Sequence, residues 1–393
     1  MTSRKQLGLI VNPVAGVGGR VGLKGSDGCE TVARALALGA VREAPGRARL
    51  ALARLASLRE TIELITCPGE MGADEARACG LEPVVIDSVG GAPSSSCEPP
   101  LHPAAQETTA ADTMAAARAM AEMGVDLLLF AGGDGTARNV LDAVGDRVPV
   151  LGIPAGVKIH SAVYATTPVA AGDLAAHFLG ARSSATRVRE CEVMDIDEEA
   201  FRAGRVSAGL YGYLRVPFER ALLQSAKMGS VAGDAATLAG IAADVVNDMR
   251  PGALYIVGPG TTTRAVVERL GLVKTLLGVD VVCDGRLVAA DVTEHDLLDL
   301  LSGDAPPEAH IVVTVIGGQG HIFGRGNQQI SPAVIRACGA ANIAVVATQT
   351  KLLSLQGLSL LCDSGDPDLD EQLSGYAKVI TGPGERTMYR VGR

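Results

Sequence analysis

In the run Asp126-Leu-Leu-Leu-Phe-Ala-Gly-Gly-Asp-Gly-Thr136 a single carboxylate lies inside a glycine turn. An apolar stretch leads into the turn and Ala137 to Ala143 read as a helix, so the glycines fall where a buried strand passes into a helix. Gly132, Gly133 and Gly135 can adopt positive φ and let the backbone approach a ligand with no Cβ in the way. The first N–H groups of the helix then point, unpaired and partly positive, at any anion above the turn. Asp134 would repel a phosphate there unless a metal ion or a substrate hydroxyl stands between them. Either partner implies phosphoryl transfer. The competing reading is an ordinary strand-to-helix turn in which Asp134 and Thr136 cap the helix.

Two other strand ends carry similar chemistry. Leu7-Gly-Leu-Ile-Val-Asn-Pro-Val-Ala-Gly16 is a short apolar strand that stops at Asn12-Pro13 and enters a glycine-rich run. Val148-Pro-Val-Leu-Gly-Ile-Pro-Ala-Gly-Val-Lys-Ile-His-Ser161 is a buried strand that breaks at Pro154 into Gly156, Lys158, His160 and Ser161. In a parallel sheet such ends lie on one edge, where ligands bind. Lys158 can neutralise phosphate as a point charge, whereas a lone His160 is more often a satisfied structural residue.

Alternating patterns predict what must hold these turns. Strands are expected near 7–12, 62–66, 83–87, 126–131 and 149–153, with helices near 31–38, 47–60, 110–123 and 137–143. That alternation argues for a doubly wound parallel sheet. The Pro-, Ser- and Gly-rich stretch 88–106 reads as a long loop. Beyond Ser161 the pattern changes. An antiparallel pair is expected over 188–197 and 205–216, a helix over 233–249, and strands near 253–258, 279–283, 311–316 and 342–347. The expectation is an α/β protein with an N-terminal nucleotide-binding domain, 1–165, and a second α/β domain with some antiparallel strands, 166–393, closing the cleft.

At the three glycine-bearing strand ends the chain resembles the superfamily of NAD kinases, diacylglycerol-type lipid kinases and 6-phosphofructokinases, which share a Gly-Gly-Asp-Gly-[Thr/Ser] turn. The run Gly-Ile-Pro-Ala-Gly-Val-Lys-Ile-His-Ser is most similar to the branch of ATP- or polyphosphate-dependent NAD kinases that includes the acetoin-catabolism X proteins. Tyr255-Ile-Val-Gly-Pro-Gly-Thr-Thr-Thr-Arg264, Leu276-Leu-Gly-Val-Asp280 and Gly317-Gly-Gln-Gly-His-Ile-Phe-Gly-Arg-Gly-Asn-Gln-Gln329 extend the likeness. The resemblance implies Asp134 as the residue that positions or deprotonates the ribose 2′-hydroxyl of NAD(H). Gly132, Gly133, Gly135, Thr136 and Asn12 would surround the nucleotide phosphates. ATP or polyphosphate is the implied donor, with Mg²⁺ on its phosphates and no metal ligand assignable in the chain.

Two departures from ordinary NAD kinases are visible. Pro154 stands where their turn has Asn, and no clear Asn-Glu pair follows; Asn247-Asp248, in a polar helical stretch, reads as solvent-facing. A nucleotide-binding regulator that lost catalysis, or a lipid or sugar kinase, are therefore the alternatives. Lipid kinases follow the turn with Thr-x-Asn-Asp, whereas this chain has Val157-Lys158-Ile159-His160.

Further candidates lie in the second half. Gly260, Thr261, Thr262, Thr263 and Arg264 follow an apolar strand and open a helix, which suits either an anion pocket or simple capping. Gly318 and Gln319 end another strand, and Arg325 and Asn327 follow with donors that either satisfy a compact loop or bind a polar ligand. The acidic run Asp195, Asp197, Glu198, Glu199 has the spacing of an exposed hairpin turn.

With 393 residues the chain can bury a large core, and 47% hydrophobic residues place it among globular proteins. A net charge of −9 argues against a broad polyanion surface, and a chain with no Trp offers few stacking platforms, so nucleic acid is not an expected partner. The eight cysteines lack Cys-x-x-Cys spacing, which favours reduced thiols over a zinc site. No apolar run reaches transmembrane length, so a cytoplasmic protein without membrane contact is expected. A homodimer is the expectation from oligomer base rates.

Overall fold

The structure, a computed structural model, describes residues 4–23, 29–86, 108–157, 159–180, 187–196, 208–219, 222–223, 235–275, 277–303 and 305–392. The chain divides into two compact units. The first comprises Met1–Val17, Gly25–Leu36 and Val41–Ala226, and the second Gly18–Lys24, Ala37–Ala40 and Lys227–Arg393.

The first unit is built on five parallel strands: β1 (Lys5–Val11), β2 (Ile62–Thr66), β3 (Val84–Val85), β4 (Leu127–Gly132) and β5 (Val150–Pro154). They lie in the order β3-β2-β1-β4-β5. Leu127, Leu128, Leu129 and Phe130 are all fully buried, so both faces of β4 are covered, as in a sheet wound on both sides. Each such side chain contributes ~1.5–3 kcal/mol by leaving water. Helices α1 (Cys29–Ala37), α2 (Glu43–Ala53), α3 (Ala73–Ala78), α4 (Ala110–Met123), α5 (Asp134–Val144) and α6 (Pro168–Leu179) flank the sheet. Among them α2 packs against α3 and α6, while α4 packs against α5. A capping box of Thr109 and Asp112 starts α4, and Gly124, in the left-handed region, stops it.

The first unit continues past 165/166 to Ala226 and includes a hairpin. Strands β6 (Arg187–Ile196) and β7 (Ala208–Phe218) pair antiparallel, as the sequence predicts, and pack on α5 and β5. Ala162 N–H donates to Glu192 O, and Met194 N–H donates to the Ser161 hydroxyl. These bonds make the hairpin part of the first unit, which runs on to Ala226. The stretch 88–106 read as a long loop lies outside the described residues, as do Asp197, Glu198 and Glu199.

The second unit carries a mixed nine-stranded sheet in the order β10-β9-β8-β11-β13-β15-β16-β14-β12. Its parallel centre is β8 (Leu254–Val257), β11 (Ala309–Thr314), β13 (Ile343–Val346) and β15 (Gly375–Gly382). Antiparallel partners β9 (Asp280–Cys283) and β16 (Glu385–Gly392) flank that centre, with β10 (Arg286–Ala289), β14 (Leu360–Cys362) and β12 (His321–Phe323) beyond them. Helices α7 (Ala235–Asn247), α8 (Thr261–Arg269), α9 (Glu294–Leu300), α10 (Pro332–Cys338), α11 (Gln349–Ser354) and α12 (Pro367–Leu373) connect the strands. The second unit is therefore α/β, as expected, with β10, β12, β14, β15 and β16 additional to the strands that the sequence predicts. Asn247 and Asp248 are exposed, in accord with the solvent-facing reading. No helix among the described residues is long and apolar enough to cross a membrane.

Candidate functional site

In the first unit the chain leaves β1 toward β2 and β3 on one side and returns as β4 and β5 on the other. The order reverses between β1 and β4, and the C-terminal ends at such a reversal are the usual ligand position in these sheets. Asn12 and the Gly132–Thr136 turn lie at those two ends. Asn12 Nδ2 donates to Thr136 Oγ1 at 3.1 Å, its Oδ1 accepts from Val14 N–H at 3.3 Å, and its own N–H bonds to Ala131 O at 3.0 Å. Asn12 thus fastens the end of β1 to the first turn of α5.

The two later glycine turns touch one another. The N–H groups of Ala155 and Gly156 donate to Gly132 O at 2.9 and 3.0 Å. A Cβ on Gly156 would sit 2.7 Å from Gly133 Cα, and one on Gly132 would sit 2.4 Å from Thr136 Oγ1. Only glycine permits either approach. From below, the fully buried Tyr164 donates its hydroxyl to Gly133 O at 2.6 Å, and its ring fills the space that a Cβ on Gly152 would occupy.

Asp134 is the first residue of α5, where the helix dipole favours a negative charge, and it is 7% exposed. Its Oδ2 accepts from His160 N–H at 2.8 Å and faces His160 Nδ1 at 3.3 Å. Its Oδ1 accepts from Ser161 N–H at 3.0 Å. A carboxylate has about four lone-pair positions, and the turn after β5 engages three of them. The carboxylate therefore bridges the two glycine turns: both of its oxygens face the turn after β5, and the N-cap of its own helix is Gly133. Gly133 and Gly135 are half-buried on the same turn. Lys158 lies outside the described residues.

Candidates of the second unit separate into two groups. Thr262 and Thr263 are fully buried at the start of α8, and Gly260 lies so close to Thr314 that a Cβ would come within 2.5 Å of its Cγ2. Lys351 Nζ donates to Thr262 Oγ1 at 2.9 Å and to Thr314 Oγ1 at 3.3 Å. Gly318 N–H donates to the Ser354 hydroxyl, and Ser354 is held through Lys351 O. Gly260, Thr262, Gly318 and Lys351 therefore meet at the C-terminal edge of β8 and β11. Gln319 is buried beside Gly318, and Thr261 is exposed on α8.

Other candidates are turned to structural use. Arg264 is exposed and pairs with Glu268 one turn along α8 at 2.6 Å. Asn327 accepts from Gly324 N–H and donates to Ile322 O, closing its own loop. Arg325 is buried against Asp363 at 3.5 Å. These contacts hold the 324–329 loop within the second unit.

Tyr164, Arg47 and Lys351 are absent from the sequence-based set. Arg47 is buried in α2 and donates to Pro154 O at 3.0 Å, at the end of β5. Nothing in local spacing marks Tyr164 or Arg47. Lys351 had a signal: Ala347-Thr-Gln-Thr-Lys351 follows an apolar strand directly and repeats the strand–hydroxyl–helix pattern of the Gly258–Arg264 run.

The family model for the ATP-NAD kinase N-terminal domain matches residues 7–182, and the model for the C-terminal domain matches residues 252–391. The chain belongs to the NAD kinase superfamily. The first match contains the Asn12, Gly132–Thr136 and Gly156–Ser161 elements, and the second contains the Gly260–Thr263 and Lys351 elements. No curated protein and no solved structure matches the chain.

Proposed function

We propose that this NAD kinase superfamily member transfers a phosphoryl group from ATP or polyphosphate to the 2′-hydroxyl of NAD. The observation that carries the reading is the placement of Asp134: a buried carboxylate at the switch point of a parallel sheet, clamped between two glycine turns that only glycine can form. Phosphoryl transfer needs alignment and charge neutralisation more than covalent chemistry. The free N–H groups of α5 supply the anion-binding element, and Asp134 supplies the acceptor side.

Among the described residues no group of three or more His, Cys, Asp or Glu could hold a metal. Mg²⁺ is proposed to arrive with the donor substrate, on its phosphate oxygens, as suits an ion that binds few carboxylates.

Incubating the purified chain with NAD, Mg²⁺ and either ATP or polyphosphate tests the reading. NADP is the expected product, measured by a coupled reduction; NAD binding without NADP overturns the kinase assignment. That second outcome would favour a regulator, the reading supported by Pro154 and by the absence of a clear Asn-Glu pair. Replacement of Lys351 by Ala takes the shared donor from the Thr262 and Thr314 hydroxyls and is expected to lower stability by ~1–3 kcal/mol; thermal melting against the parent checks it.

A further inference from the structure

A second titratable group sits against Asp134, and its outer atom is not satisfied. His160 is 4% exposed, and its Nε2 is buried without a hydrogen-bond partner among the described residues. The ordinary reading of a lone histidine, a satisfied core residue, does not describe it. Because an ionised carboxylate can only accept, the contact of Nδ1 with Asp134 Oδ2 at 3.3 Å places the ring proton on Nδ1. Nε2 is then a bare lone pair. Leaving a buried acceptor without a partner is unfavourable, and a ligand hydroxyl would relieve that cost. Asp134, by contrast, already receives the N–H groups of His160 and Ser161 as well as the ring contact.

We infer that His160 Nε2 is the general base for the acceptor hydroxyl, and that Asp134 acts as the positioning residue that sets its tautomer and orientation. The inference rests on the phosphotransferase reading above. In the step it describes, the Nε2 lone pair takes the hydroxyl proton while the acceptor oxygen forms its bond to the terminal phosphorus. The bond from that phosphorus to the bridging oxygen breaks, and its electron pair leaves with ADP or the shortened polyphosphate. The imidazolium is stabilised by the Asp134 carboxylate until its proton passes to solvent. This is the division of labour in which a carboxylate orients an imidazole and the imidazole moves the proton.

Two substitutions separate the roles. His160→Asn retains a donor near the Nδ1 position for Asp134 and removes Nε2; His160→Ala removes both. With ATP, Mg²⁺ and NAD, His160→Asn is expected to lower kcat about 10²- to 10⁴-fold, with the KM for NAD and ATP within about threefold. His160→Ala is expected to recover part of its lost rate when imidazole is added, whereas Asp134→Asn is not. Nitrogen-15 histidine NMR of the unliganded wild type should show the Nδ1-protonated tautomer, and the Nε2 resonance should move when NAD is added. If His160→Asn keeps the parental kcat while Asp134→Asn is inactive, the base is Asp134 and the inference is overturned. An Nε2-protonated tautomer in the spectrum overturns it whatever the activity. If the wild type makes no NADP with ATP or with polyphosphate, the phosphotransferase reading itself fails, and the role assigned to His160 falls with it.

Discussion

Replacing Asp134 by Asn is expected to cut NADP formation at least about a thousandfold, as loss of a carboxylate that orients a catalytic group does elsewhere. The same change should lower stability, because an amide is not a neutral copy of this carboxylate. One oxygen of Asp134 accepts from His160 N–H and faces Nδ1, and the other accepts from Ser161 N–H. An Asn offers one oxygen and one NH₂, so at least one buried donor is left facing another donor. An unmatched buried group costs ~1–3 kcal/mol, or about 2–4 °C in melting temperature for each kcal/mol in a unit of this size. Activity and thermal melting measured on the same preparation check both halves. A variant that melts like the parent and still produces NADP would remove Asp134 from the mechanism.

The second large effect concerns the second unit. Lys274 and Asp280 are both fully enclosed, with Nζ 3.2 Å from Oδ2. Lys274 Nζ also donates to Gly278 O at 2.7 Å, and Asp280 accepts from Thr275 N–H, the Thr275 hydroxyl and Asp291 N–H. Burial alone would raise Asp280, but the Lys274 ammonium, the Thr275 hydroxyl and the two amides outweigh it and hold the carboxyl below its ordinary range. Lys274→Met leaves that charge buried and unpaired, and is expected to cost about 3–5 kcal/mol, seen as a melting temperature lower by about 10 °C. Adding Asp280→Leu should recover only part of the loss, since the amides of Thr275 and Asp291 would then lack their acceptor. The depressed carboxyl also sets a sign with pH. Its stabilising contribution is fully present above the ordinary Asp range, near pH 4, and is lost as the pH falls below it. Melting of the parent between pH 7 and pH 3 should show that loss, and the double variant should show less of it.

The parallel sheet of the first unit is legible in the chain because strand and helix periods alternate as far as Pro154. Apolar runs ending in Asn12, Gly132 and Pro154 locate three strand ends, and a parallel sheet places such ends on one edge. In the second unit the short strands β10, β12 and β14 carry too few residues for a period to emerge, and β15 and β16 lack a clean alternation, since the apolar Tyr376 and Met388 are exposed. The glycine turn itself was readable, but its partners were not. Tyr164 and Arg47 reach their places through tertiary packing, from separations that no local pattern spans.

What the sequence alone determined is the α/β class, the glycine turn with its single carboxylate, and the likeness to NAD kinases, since each depends on residue type and short-range spacing. Tertiary structure decided how those residues are used. Asp134 lies 26 and 27 positions from the amides that hold it, so whether its carboxylate capped its own helix or clasped the turn after β5 depended on how β4 and β5 pack side by side. The same packing decided that His160 is buried with one nitrogen against a carboxylate and the other without a partner.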